Sequence, residues 1–157
     1  MSLAVGSETA PSVTAPLRAV VEGIYALEEW HMSGGVFRPP QVEGRIAFLN
    51  GELVLILHNR TKEGSPVTVA SYGSYILGET QFSYGYDEPS TFTQTPSGIT
   101  VSHKAPWEGM RPFIAVRNGQ AVVLRAGGGQ EFLFTREKLV YSESGRILRV
   151  WRRMNPG

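Results

Sequence analysis

Apolar and polar residues alternate along most of this chain with a period of two, the spacing of a strand with one buried face. Phe82, Tyr84 and Tyr86 alternate with Ser83 and Gly85, and Ile99, Val101 and His103 alternate with Thr100, Ser102 and Lys104. Val42–Leu49 and Glu52–His58 flank Asn50-Gly51. Asn-Gly supplies the two positive-φ positions of a type I′ turn, whose twist matches that of paired strands, so this segment predicts a hairpin. Leu53-Val54-Leu55-Ile56-Leu57 is apolar on both faces. The run is too short to stand as a helix, and the turn beside it decides for strand.

Two further hairpins follow from the same logic. Val67–Leu77 and Thr80–Asp87 surround Gly78-Glu79, and Phe113–Arg117 and Gln120–Ala126 surround Asn118-Gly119. Glu131–Thr135, Lys138–Ser142 and Arg146–Arg153 complete the strand set, with Ser144-Gly145 as the last turn. Glu22–Met32 is read as the first strand, broken by Ser33-Gly34-Gly35, and Leu17–Val21 as a short helical turn before it. Pro89–Ser97 is expected to be a polar loop. Closely spaced strands joined by sequential hairpins predict an all-β, antiparallel up-and-down barrel of about 8–10 strands. Closure removes the free edges that such a chain would otherwise expose.

The 157 residues suit one domain. Residues 1–16, rich in Ser, Thr, Ala and Pro, are expected to be a disordered leader, with the barrel domain over 17–157. Charged residues make up 18% of the chain. That is below the usual value of about 25% and argues against a large solvated helical surface. Fifteen Lys and Arg against 14 Asp and Glu give a net charge of +1, so no electrostatic case exists for nucleic acid or an anionic membrane. The absence of cysteine excludes disulfides, thiolate chemistry and Cys-ligated zinc or iron–sulfur sites. Met1–Pro16 lacks a basic segment followed by an apolar one, and no apolar run reaches the roughly 18 residues of a membrane span. A cytoplasmic protein is therefore expected.

Several short segments carry a family resemblance. Gly23-Ile24-Tyr25 resembles the lipocalin Gly-x-Trp, with Tyr in place of Trp. Gly44–Leu53 resembles the hairpin of that family's second and third strands, and Tyr72-Gly73-Ser74-Tyr75 its Gly-x-Tyr strand. Val150-Trp151-Arg152-Arg153 resembles its closing strand. From about Val21 to Arg153 the chain is similar to the lipocalin-like small barrels of bacteria, within the calycin group. The resemblance implies a barrel that binds a small apolar molecule. It also implies a late arginine, Arg152 or Arg153, packed across Tyr25 to close the barrel base.

Parity supplies the candidate interior. Tyr25, Leu27, Glu29 and His31 share one face of the first strand. Tyr75, Phe82, Tyr84 and Tyr86 are assigned inward with them, as are Val101, His103, Phe132 and Phe134. Trp107, in the loop Ala105-Pro106-Trp107-Glu108-Gly109, caps the barrel mouth over a ligand or packs down as a plug. Aromatic walls with a few polar anchors suit a ligand pocket, and they suit a filled core as well.

Glu29 and His31 form a potential proton-transfer pair or a rim pair in water, and Glu29, His31 and His103, with Tyr84, are the acid–base candidates. His31, His58 and His103 lack metal-ligand spacing, so neither a metal nor a cofactor is expected. Arg146, Arg149, Arg152 and Arg153 make the last strand basic, and cross-strand pairing with Glu137 and Glu143 accounts for them. Three functions stay open: a barrel binding a small hydrophobic or aromatic partner, which is preferred; a small isomerase- or cyclase-type enzyme using the same cavity; and a filled barrel acting in structure or interaction. A monomer or homodimer is expected.

Overall fold

Turn chemistry sets the topology. In the computed structural model, which describes residues 16–155, Asn50 and Gly51 take φ values of 51° and 83°. The strands on either side pair in unbroken register from Val42↔Asn59 to Leu49↔Glu52. The chain order is α1 (Leu17–Val21), β1 (Gly23–Met32), β2 (Gly35–Phe37), β3 (Val42–Leu49), β4 (Glu52–Asn59), β5 (Val67–Leu77) and β6 (Gln81–Thr95). It continues through β7 (Gly98–His103), β8 (Arg111–Asn118), β9 (Ala121–Arg125), β10 (Gln130–Phe134), β11 (Lys138–Glu143) and β12 (Arg146–Arg153).

Ten of these strands close an antiparallel barrel in the order β1-β3-β4-β5-β6-β8-β9-β10-β11-β12, with β12 returning to β1. The remaining two, β2 and β7, extend β1 and β6 respectively. The all-β closed barrel with one short helical turn is therefore as the sequence predicts. It has ten strands where a lipocalin barrel has about eight, and barrel diameter grows with strand number.

Two local expectations are corrected. The polar loop expected over Pro89–Ser97 is mostly strand, because Ser90–Thr95 continues β6 and pairs with β7. Thr91, Phe92 and Thr93 are good strand formers, and pairing with β5 on the other side supplies their ladder. The break after Met32 is a tight turn, and Gly35–Phe37 returns as β2 against Trp30–Met32. The leader expected over residues 1–16 lies outside the described residues except for Pro16, which precedes α1. No described helix is long and apolar enough to cross a membrane.

The interior is a continuous column of aromatic rings. Near α1, Phe48 meets Tyr25, Tyr75, Phe82 and Phe134 at centroid distances of 6.4, 5.7, 6.1 and 5.8 Å. The column continues through Phe113 and Phe132, 5.3 Å apart, to Tyr84 and Tyr141. Most of these contacts are edge-on or tilted, the geometry aromatic pairs prefer.

Candidate functional site at the open end of the barrel

α1 closes one end of the barrel. Leu17 and Val21 are buried in the core, and the Tyr25 hydroxyl donates to the Val21 carbonyl at 2.8 Å. Tyr75 donates to a Glu22 carboxylate oxygen at 2.6 Å. Burial first, and then this bond, push the Tyr75 phenol up to about 12. The Arg153 guanidinium lies 4.8 Å above the Tyr25 ring. One terminal nitrogen of Arg153 donates to the Glu22 carbonyl at 2.6 Å, and the other donates to the Val20 carbonyl. Gly23 makes room for it: at φ 153°, a β-carbon there would fall 2.7 Å from an Arg153 terminal nitrogen. Arg152, next in the chain, faces the other way and pairs with Glu28 at 3.7 Å.

The opposite end carries no helix among the described residues, and the loop residue Trp107 packs down onto it. There the inward side chains Trp30, Met32, Phe37, Val69, Tyr86 and Trp107 pack on the core but stay only partly buried. Trp107 holds its place through its backbone N–H, which donates to the Tyr86 carbonyl at 2.9 Å. Its ring lies 5.2 Å from both Tyr84 and Tyr86. The Arg111 guanidinium sits 4.7 Å over Trp107 and donates to the Tyr84 hydroxyl at 3.4 Å. Arg149 is held between its ladder neighbours Trp30 and Tyr141, with its guanidinium 4.8 and 5.9 Å from their rings.

The Arg149 side chain has no ion pair or hydrogen bond among the described residues, and its Nε is shut off from water. Burial pushes its guanidinium below the ordinary value, an effect opposed by Tyr141, Tyr86, Glu143 and Tyr84. Burial likewise raises the Tyr86 and Tyr84 phenols, so both stay neutral and able to donate. Tyr141, raised by burial and then by its bond to Glu143, donates to that carboxylate at 2.6 Å.

The sequence-derived candidates separate into two groups. Tyr25, Leu27, Tyr75, Phe82, Tyr84, Phe132 and Phe134 lie in the core, with Tyr86 and Trp107 at its open end. Glu29 and His31 do not share the face of Tyr25 and Leu27. Glu28 is an extra residue between the pairs Leu27↔Trp151 and Glu29↔Val150. One inserted residue reverses the faces of everything beyond it. Trp30 and Met32 therefore pack on the core, while Glu29 bonds Arg38 at 2.5 Å and lies 3.6 Å from His31.

Val101 and His103 also fall outside the interior, since β7 lies off the closed barrel. His103 bonds the Ser90 hydroxyl at 2.8 Å, lies 3.9 Å from Glu88, and is exposed along with Val101. His58, on β4, bonds Thr68 at 2.8 Å. Among the described residues no three His, Asp or Glu gather as a metal set would require. Of the last strand's arginines, Arg146 faces Glu143 in the ladder as expected, Arg152 pairs across strands with Glu28 on β1 rather than with Glu137, and Arg149 and Arg153 rest on rings and carbonyls.

Trp30, Arg111, Tyr141 and Arg149 were not among the sequence candidates. The signal for Arg149 is its spacing: Arg149, Trp151 and Arg153 fall two apart, so the buried Trp151 carries both arginines inward with it. A scan of family models, a search of curated proteins and a search of solved structures each found no match. The closed antiparallel barrel is consistent with a calycin-like fold.

Proposed function

We propose that the protein is a lipocalin-like barrel that binds a small, largely apolar or aromatic molecule in its open half. The observation that carries this reading is the contrast within one aromatic column. Tyr25, Phe48, Phe134 and Trp151 are 0–2% exposed, whereas Trp30, Tyr86 and Trp107 face inward yet keep contact with solvent. Apolar walls with a few convergent polar groups are what ligand sites are made of. The reading takes the protein as cytoplasmic, as a monomer or homodimer, and as needing no cofactor. Glu29, His31 and His103 take no part in the proposed site.

Native mass spectrometry of the purified protein, followed by denaturation and analysis of what is released, tests the reading. An apolar compound near one per chain is the expected result. A protein that purifies empty, and whose thermal unfolding is unmoved by fatty and aromatic acids or their neutral analogues, is a filled barrel instead.

A further inference from the structure

We infer that the bound molecule is an acid: an apolar body with a carboxylate head that Arg149, Arg111 and the Tyr86 hydroxyl receive. This inference rests on the ligand-binding reading and names the ligand's class.

An arginine carries five N–H donors and no acceptor. Arg149 finds no acceptor in the described protein: its contacts are the Trp30 and Tyr141 rings. Rings attract the positive charge, but they accept none of the in-plane N–H bonds that a carboxylate accepts. Only Nε is both sealed and unpaired, so the two terminal nitrogens remain within reach of solvent. Arg111 stands at the same end with one long bond to Tyr84 and no carboxylate partner. The Tyr86 hydroxyl also has no partner among the described residues. The carboxylate that acts on this cluster is Glu143, which is exposed and already accepts from Tyr141.

Arg153 is the internal control. It too stacks on an inward tyrosine and keeps its Nε sealed and unpaired, but its terminal nitrogens are satisfied by two backbone carbonyls. Where the fold needs an arginine for closure, it supplies acceptors. At Arg149 it supplies a socket of rings and leaves the donors open. A carboxylate offers two oxygens in the fork geometry of a guanidinium, and the aromatic column behind it receives the apolar remainder.

The test compares acids with uncharged analogues of the same shape. Naphthalene-2-carboxylate, 4-phenylbutyrate and dodecanoate are each titrated by calorimetry against their primary amides. At least one acid is expected to bind about tenfold tighter than its amide, since charge-assisted bonds are about twice as strong as neutral ones. Arg149→Met is expected to bring that ratio near one by weakening the acid far more than the amide. Arg111→Met is expected to reduce it less. Should Arg149→Met fail to fold, Arg111→Met and Arg149→Lys carry the comparison, the ratio falling in both. Equal affinities of acids and amides in the unaltered protein would overturn the inference and leave the binding reading standing. A preference for acids that survives intact in every folded variant would also overturn it. If neither acids nor amides bind, both readings fall together.

Discussion

At the α1 end, an arginine lies over a tyrosine and gives its terminal N–H groups to backbone carbonyls, its Nε staying sealed and unpaired. At the other end, an arginine lies over a tryptophan and a tyrosine and gives its N–H groups to nothing in the described protein. The side chains are alike and so is the stacking, so the difference lies in the acceptors. A half-buried cation left without them gains less from its place in the fold than one that is bonded. Such groups mark places where a fold departs from its own optimum, and those places are characteristically functional. The α1 end is where the barrel is held shut, and the far end is where it is kept unfinished.

The most drastic way to break this contrast is alkali, which charges both ends at once. The inward phenols of Tyr25, Tyr75, Tyr84, Tyr86 and Tyr141 are all raised above their ordinary value of 10.0, chiefly by burial. In the unfolded chain they release their protons near pH 10. Above that pH the unfolded state binds fewer protons than the native one, so stability falls as pH rises and is fully present below it. Apart from the absorbance of the exposed Tyr72, tyrosinate absorbance and far-UV circular dichroism are expected to change together above pH 10. Phenols that ionise one by one with the fold intact would show that neither end is sealed.

Truncation separates the ends. Phe134→Ala, at a position with no exposed surface, is expected to cost about 3–5 kcal/mol in urea denaturation. Trp107→Ala, at the open end, is expected to cost about 1–2 kcal/mol despite removing a larger side chain, and to weaken ligand binding. Equal losses would erase the distinction. The arginines give the finest test. Arg153→Met removes two bonds to carbonyls and is expected to cost about 2 kcal/mol. Arg149→Met removes a half-buried charge that has no acceptor and is expected to leave stability unchanged or raised by about 1 kcal/mol. A large loss at Arg149 would assign it to the scaffold.

The fold was legible wherever one face alternates cleanly and a turn residue fixes the register. The Asn50-Gly51 hairpin, the β5–β6 pair and the barrel class all follow from that pattern. It failed where a strand changes phase. Counting by twos from Tyr25 places Glu29 and His31 inside, but the extra residue at Glu28 reverses them. Nothing local marks that bulge: Glu28 answers to Lys138 at 3.4 Å and Arg152 at 3.7 Å, partners more than a hundred positions away. Another bulge, at Asp87 in β6, similarly separates the inward Tyr86 from Glu88, which pairs with the outward Tyr72. Arg149 was visible as a residue but not as a site, because its isolation depends on which carboxylates three-dimensional packing withholds.

The seam between β1 and β12 also bears on how the barrel is made. Most of its pairings join strands that follow one another, and two more skip only the short β2 or β7. The seam alone joins the first strand to the last, and the bond from Arg153 to Glu22 spans 131 residues. Hairpins form in microseconds, whereas contacts this distant must wait for the chain between them to be in place. During synthesis, every strand up to β11 can emerge and pair while the aromatic column still lies open along one side. Completion is therefore a zipper with a single late clasp, and the interval before it shuts is when this chain most depends on whatever protects nascent proteins from one another.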